Sequence, residues 1–197
     1  MTRAVFLDRD GVINQKAPEG EYISSRRELV LLPGVLRAAR ELYDAGFLIF
    51  IATNQRGVAR QRVSAKVLDS IHYDLLQLFS AARAPITKVY VCPHEGGCEC
   101  RKPAPGMLLR AAQEHAIDLH ASWVVGDSAS DIEAGKRAGC RTTWIRDGMT
   151  QQIPGVRPDL QAKDLRDAVK LILKVTERSA QGKRRSQRHD KGMLGSR

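Results

Sequence analysis

Residues 4–12 read AVFLDRDGV, and the order of those nine residues decides how the rest of the chain is read. Ala4–Leu7 is apolar without alternation, the pattern of a strand buried on both faces. It breaks off into two acids one residue apart, Asp8 and Asp10, with Gly11 permitting a sharp exit. Three more places repeat the theme of a short apolar run ending in polar residues. FLIFIA (residues 47–52) leads into Thr53, Asn54 and Gln55; Val89–Val91 leads towards Arg101 and Lys102; Trp123–Val125 leads into Gly126-Asp127-Ser128. Between them lie helical periodicities. Leu36, Ala39, Leu42 and Tyr43 recur at helical spacing before Gly46, and Ser64 precedes a long apolar face of Leu68, Ile71, Leu75, Leu78, Phe79 and Ala82. Helices are also predicted over Met107–His115, Ile132–Ala138 and Leu165–Val175, with strands at Thr142–Ile145 and near Asp159–Gln161.

Apolar strands alternating with helices predict an α/β fold, a doubly wound parallel sheet covered on both faces. In such sheets ligands bind beyond the carboxyl ends of the strands, which is where the polar residues above fall. The chain's 197 residues suffice for one domain with a substantial core. Its net charge of +10 is uneven: residues 178–197 hold seven basic residues against Asp190 alone. A domain over residues 1–177 and a basic tail over 178–197, expected to be disordered for want of an apolar face, follow from that shift. No apolar run approaches the ~18–20 residues of a membrane helix, and the first residues lack a secretory pattern, so a cytoplasmic location and no membrane partner are expected. Aromatic residues are only 5% of the chain, too few for a surface of stacked rings, which argues against nucleic acid as a partner.

The strand ends can be weighed one at a time. Two carboxylates spaced as Asp8 and Asp10 can share a pocket, one as nucleophile and one handling protons, or can mark a solvated turn. Thr53, Asn54 and Gln55 offer a hydroxyl and amide donors to phosphate oxygens, or serve a strand-end turn. Arg101 and Lys102 can neutralise a phosphoryl group, or lie in water. Asp127 can ligate a metal with Asp131 bracing the site, or Asp127 or Ser128 can cap a helix. Together they supply a nucleophile, an oxygen donor, a cation and a metal acid, the set that phosphoryl transfer needs.

DRDGV, TN, RKP and GDSASD, in this order and spacing, resemble the haloacid dehalogenase superfamily of phosphohydrolases over about residues 1–175. FLDRDGVIN, TNQRGVAR, CPH…CECRKPAPGML and VGDSASDIEAG are similar to its small-capped branch, which holds heptose bisphosphate 7-phosphatases and histidinol-phosphatases. The resemblance implies a Rossmann-like fold with a minimal cap. It implies that Asp8 forms an aspartyl phosphate and that Asp10 acts as acid and then base. It places Mg²⁺ on the Asp8 carboxylate, the Asp10 main-chain carbonyl and Asp127, with Thr53 and Lys102 on the phosphoryl oxygens. Asn54, Gln55, Arg56 and Arg101 fall where the branch contacts substrate, and Gln15–Tyr22 where it has its first substrate loop. Ser128 departs from the Lys that several heptose bisphosphate phosphatases carry there, so a second phosphate contact is weaker or comes from elsewhere.

A separate cluster, Cys92, His94, Cys98 and Cys100, has the donor types and spacing of a closed tetrahedral Zn²⁺ site. Three cysteines would leave one unpaired as disulfides, so a structural zinc pinning the loop before Arg101 is expected. Cys140, Trp123 and Trp144 read as core, and His72 and His115 as solvated or satisfied helix residues. The resemblance implies hydrolysis of the 7-phosphate of a heptose 1,7-bisphosphate by a monomer. The alternatives are histidinol phosphate hydrolysis, a nucleic-acid 3′-phosphatase, and a zinc-stabilised binding module tethered by the tail.

Overall fold

The computed structural model describes residues 2–146 and 155–178. Six strands form one parallel sheet: β1 (Ala4–Leu7), β2 (Leu48–Asn54), β3 (Lys88–Cys92), β4 (Trp123–Gly126), β5 (Arg141–Ile145) and β6 (Leu160–Ala162). Four of the helices are α1 (Val35–Asp44), α2 (Ala65–Ala81), α3 (Gly106–His115) and α4 (Ala129–Ala138). A fifth, α5, covers residues 165–178. The order across the sheet is β3-β2-β1-β4-β5-β6, so the chain winds one way from β1 to β3 and the other way from β4 to β6. β1 lies at the reversal, where loops diverge and leave a crevice.

Each predicted strand is present, β1 with its predicted bounds and the others with shifted ends. β2 begins one residue later than the apolar run and continues through Thr53 and Asn54, which pair with Val91 and Cys92 of β3. Both faces of β1 are buried: Val5 and Leu7 join the core beneath α1, α2 and α5, while Ala4 and Phe6 join the core beneath α3 and α4. That two-sided burial is why the strand has no polar alternation. Ser64 caps α2 as expected, its side chain accepting from the Val67 amide. Trp123, Trp144 and Cys140 are core residues.

The last helix runs further than predicted: α5 extends three residues past Val175, through Arg178. The remainder of the predicted tail, 179–197, lies outside the described residues. Among the described residues no separate cap domain is inserted, and no helix is long and apolar enough to cross a membrane.

Candidate active site

The carboxyl ends of β1, β2 and β4 and the loop after β3 meet around a cleft of about 440 Å³. Asp8 follows β1 directly, and its Oδ1 accepts from the Lys102 Nζ at 2.8 Å. The same ammonium lies 2.5 Å from Asp131 Oδ1 and donates to the Ala52 carbonyl at 2.6 Å. Lys102 is nearly wholly buried, so these partners replace its water shell. Burial works against its charge, but Asp131 and Asp8 outweigh that and hold it protonated well above the ordinary lysine range. Asp8 is pushed up to about 7, chiefly by burial and further by Asp131 and Asp127, with Lys102 opposing.

Asp127, at the end of β4, is raised by burial against the pull of Lys16. The Lys16 Nζ lies 2.5 Å from its Oδ2. Gly11 makes this approach possible. Its φ is +91°, and a Cβ there would fall 1.8 Å from Asp127 Oδ2. Ser128 and Asp131 form a capping box at the start of α4, with Ser128 Oγ donating to Asp131 Oδ2 at 2.5 Å and 2.8 Å from Ser130 Oγ. Asp131 therefore serves the helix and Lys102 at once.

Asp10 is held from three sides. Asn14 Nδ2 donates to Oδ1 at 2.9 Å and Gln55 Nε2 to Oδ2 at 2.9 Å, while the Arg9 guanidinium reaches both oxygens. Gln55 Nε2 also donates to Thr53 Oγ1 at 2.8 Å, and Thr53 is buried at the floor. Asn54 lines the cleft, but its amide is committed to the Lys102 main chain, accepting at 3.1 Å and donating at 3.0 Å. Its first effect is to set Lys102. Arg56 and Arg101 stand on the rim, Arg101 donating to the His94 carbonyl at 3.2 Å.

All the predicted site residues thus gather in one place except the zinc cluster, which forms its own. Sequence reasoning missed Arg9, Asn14 and Ser130, and it reached Lys16 and Tyr22 only as members of the expected substrate loop Gln15–Tyr22. The Tyr22 ring packs on Gly57, where a Cβ would come within 2.8 Å of it, and its hydroxyl accepts from Arg60 at 3.4 Å. Arg60 in turn pairs with Glu95 of the cysteine loop. The only signal for Tyr22 was its place in the expected substrate loop.

The carboxylates of Asp8, Asp127 and Asp131 offer oxygens within 4.8 Å of one another. Asp127 Oδ1 is buried with no hydrogen-bond partner, an oxygen that a hard cation would satisfy. The donor set fits Mg²⁺. At the end of β3 and in the loop that follows, Cys92 Sγ lies 3.6 Å from Cys98 Sγ and 3.7 Å from His94 Nδ1. Cys100 Sγ lies 3.3 Å from Cys98 Sγ and 3.2 Å from His94 Nδ1. Those edges approach the ~3.8 Å expected around a tetrahedral Zn²⁺ with bonds of about 2.3 Å. No cysteine of the chain is in a disulfide.

His72, buried on α2, is satisfied by Arg9. Burial and the Arg9 charge lower it to about 4. In the unfolded chain it would titrate near 6.5, so between those values the unfolded state binds the extra proton. Stability tied to His72 is present above about pH 6.5 and lost as pH falls towards 4, by roughly 2–3 kcal/mol. Urea unfolding at pH 7.5 and 4.5 is expected to show a smaller acid loss for His72→Gln than for the parent; equal losses would refute it.

A family model described as HAD-hydrolase-like matches residues 99–168. The D-glycero-beta-D-manno-heptose-1,7-bisphosphate 7-phosphatase of Rhodopseudomonas palustris is 40% identical over 186 residues, covering 90% of this chain and 93% of that protein. The D-glycero-alpha-D-manno-heptose-1,7-bisphosphate 7-phosphatase of Campylobacter jejuni is 39% identical over 141 residues, covering 72% and 80%. Among solved structures, the D,D-heptose 1,7-bisphosphate phosphatase of B. bronchiseptica, complexed with magnesium and phosphate, superposes with a TM-score of 0.78 at 30% identity, over 88% of this chain and 99% of that one.

Proposed function

The chain belongs to the heptose-1,7-bisphosphate 7-phosphatase family of HAD-like hydrolases, and from that membership we propose how its own residues remove the 7-phosphate. It is a phosphatase of phosphoric monoesters. The observation that carries the mechanism is the placement of Asp8 against a buried ammonium, with Asp10 held beside it.

An Asp8 oxygen forms a bond to phosphorus as the bond to the sugar's C7 oxygen breaks. The electron pair leaves with that oxygen, and Asp10 donates its proton there, because an unprotonated alkoxide is a poor leaving group. Lys102, in contact with the Asp8 carboxylate, and Thr53 hold the equatorial phosphoryl oxygens. Asp10, now ionised, takes a proton from water as that water attacks the aspartyl phosphate. The bond from phosphorus to Asp8 breaks, and inorganic phosphate leaves. Asp8, the Asp10 carbonyl and Asp127 would hold Mg²⁺, which would supply positive charge to the phosphoryl group. Arg56, Arg101 and Gln55 meet the rest of the sugar bisphosphate, with Asn54 and Ser128 shaping the walls around it.

The zinc cluster holds the loop that ends in Arg101 and Lys102, and Zn²⁺ there is structural because four protein donors close the shell. Removing all metal with a chelator and restoring Mg²⁺ alone is expected to leave activity low and the melting temperature depressed; restoring Mg²⁺ with Zn²⁺ returns both. Full recovery with Mg²⁺ alone would remove zinc from the account.

Phosphate release should be measured on α- and β-heptose 1,7-bisphosphate, histidinol phosphate and a 3′-phosphorylated oligonucleotide. The relatives named above include both anomers, so the panel decides between them. A kcat/KM preference for one heptose bisphosphate is expected; preference for either of the other substrates would overturn the substrate while leaving the chemistry.

A further inference from the structure

One buried cation has no part in the chemistry above. Arg9 stands between the two reacting acids and is wholly buried. An apolar side chain of similar volume would cost less to bury than a guanidinium, even a paired one. Each of its three nitrogens has a partner. Nε lies 3.2 Å from Asp10 Oδ1, and Nη2 lies 3.1 Å from Oδ1 and 3.0 Å from Oδ2. Nη1 lies 3.0 Å from His72 Nε2. A guanidinium only donates, so Nε2 accepts and the imidazole proton sits on Nδ1. Burial, reinforced by the Arg9 charge, keeps the ring a neutral acceptor at neutral pH. His72 projects from α2 within a buried stripe that includes Ile71 and Leu75, so its position is fixed by the core.

We infer that Arg9 and His72 are positioning residues for Asp10: His72, fixed on α2, aims the Arg9 guanidinium, and its planar fork sets the plane of the Asp10 carboxyl. No proton passes along this chain; Arg9 keeps all of its own. The inference rests on Asp10 being the acid and base proposed above, and it goes further by saying what aims it.

The consequence appears in the leaving group. An alkyl phosphate departs as a strongly basic oxygen and needs the proton of Asp10. An aryl phosphate such as p-nitrophenyl phosphate departs as a weak base and needs it little. Loss of aim therefore reduces kcat/KM for the first much more than for the second. A defect in folding or in the Asp8 attack lowers both alike.

The test compares metal-replete His72→Leu and His72→Gln with the parent on a heptose bisphosphate and on p-nitrophenyl phosphate. Leucine removes the acceptor, whereas the glutamine amide oxygen can take its place. For His72→Leu, kcat/KM on the sugar phosphate is expected to fall about 100-fold, the scale of a misplaced catalytic group, against about threefold or less on the aryl phosphate. KM for the sugar phosphate should change little, and His72→Gln should recover about tenfold or more of the loss. Equal losses on both substrates, or no advantage of Gln over Leu, would overturn the inference. Should His72→Leu fail to fold, Arg9→Lys carries the same expectation, because an ammonium cannot fork Asp10 while reaching His72. A parent enzyme inactive on every alkyl phosphate would instead count against the proposed function, so the two failures are distinct.

Discussion

Asp8→Asn is expected to reduce kcat by about 10⁶-fold, the scale of deleting a nucleophile, while the protein stays folded. An amide oxygen forms no stable bond to phosphorus under these conditions, yet it still accepts a hydrogen bond, so the contact from Lys102 at 2.8 Å can persist. The substitution also removes one of three carboxylates packed within 4.8 Å. Asp8 is raised to about 7 in the folded protein from 3.8, so between those values the folded state binds the extra proton. Its contribution to stability therefore declines as pH rises from about 4 to about 7. In Mg²⁺-free buffer the variant should lack that decline, and urea unfolding at pH 5 and pH 8 beside the parent checks it. Residual turnover within about tenfold of the parent would remove Asp8 from the role of nucleophile.

Lys102→Met is expected to damage both stability and turnover. The ammonium touches Asp8, Asp131 and the Ala52 carbonyl, with its side chain 4% exposed. Removing it leaves two carboxylates facing each other without a counter-charge, a loss of about 3–5 kcal/mol for a broken buried pair. Turnover should fall about 10²–10³-fold further than folding explains, the scale of removing one aimed donor from a reacting oxygen. The double variant Lys102→Met/Asp131→Asn should regain part of the stability and none of the turnover. That split separates the structural role from the catalytic one. A single variant that unfolds within about 1 kcal/mol of the parent would show that the pair is not what holds the site.

Much of this site is legible in the sequence because its residues follow the strands directly. The runs at Ala4–Leu7 and Trp123–Gly126 are buried on every residue, and such runs can end only where the sheet ends. Polar residues immediately after them must therefore lie at the strand tips. The same logic failed for side chains whose partners come from elsewhere in the chain. Arg9 looked like a spacer between two acids. Its meaning depends on His72, sixty-three positions away, and on which face of β1 lies beneath α2. Lys16 sits in a stretch with no periodicity, and its contact with Asp127 depends on the loop's path over Gly11. Asn54 showed a different limit: its type suited a substrate, but its amide is engaged by the Lys102 backbone. The end of β2 at Asn54 was likewise decided by pairing with Cys92 rather than by hydrophobicity.

The strand order has a further consequence for the chain during its synthesis. β1 is made first but lies between β2 and β4, with Val5 opposite Ile49 on one side and Trp123 on the other. A ribosome must therefore deliver more than a hundred residues before both edges of β1 are paired. Until then an apolar strand with open hydrogen-bonding groups is available to other nascent chains. The long sequence separation also predicts slow closure of the sheet, because loop entropy is lost before the contact forms. A fragment ending before β4 would hold the nucleophile, the proton carrier and Lys102, yet leave β1 half paired. Aggregation of such a fragment, rather than weak activity, is what this order of assembly implies.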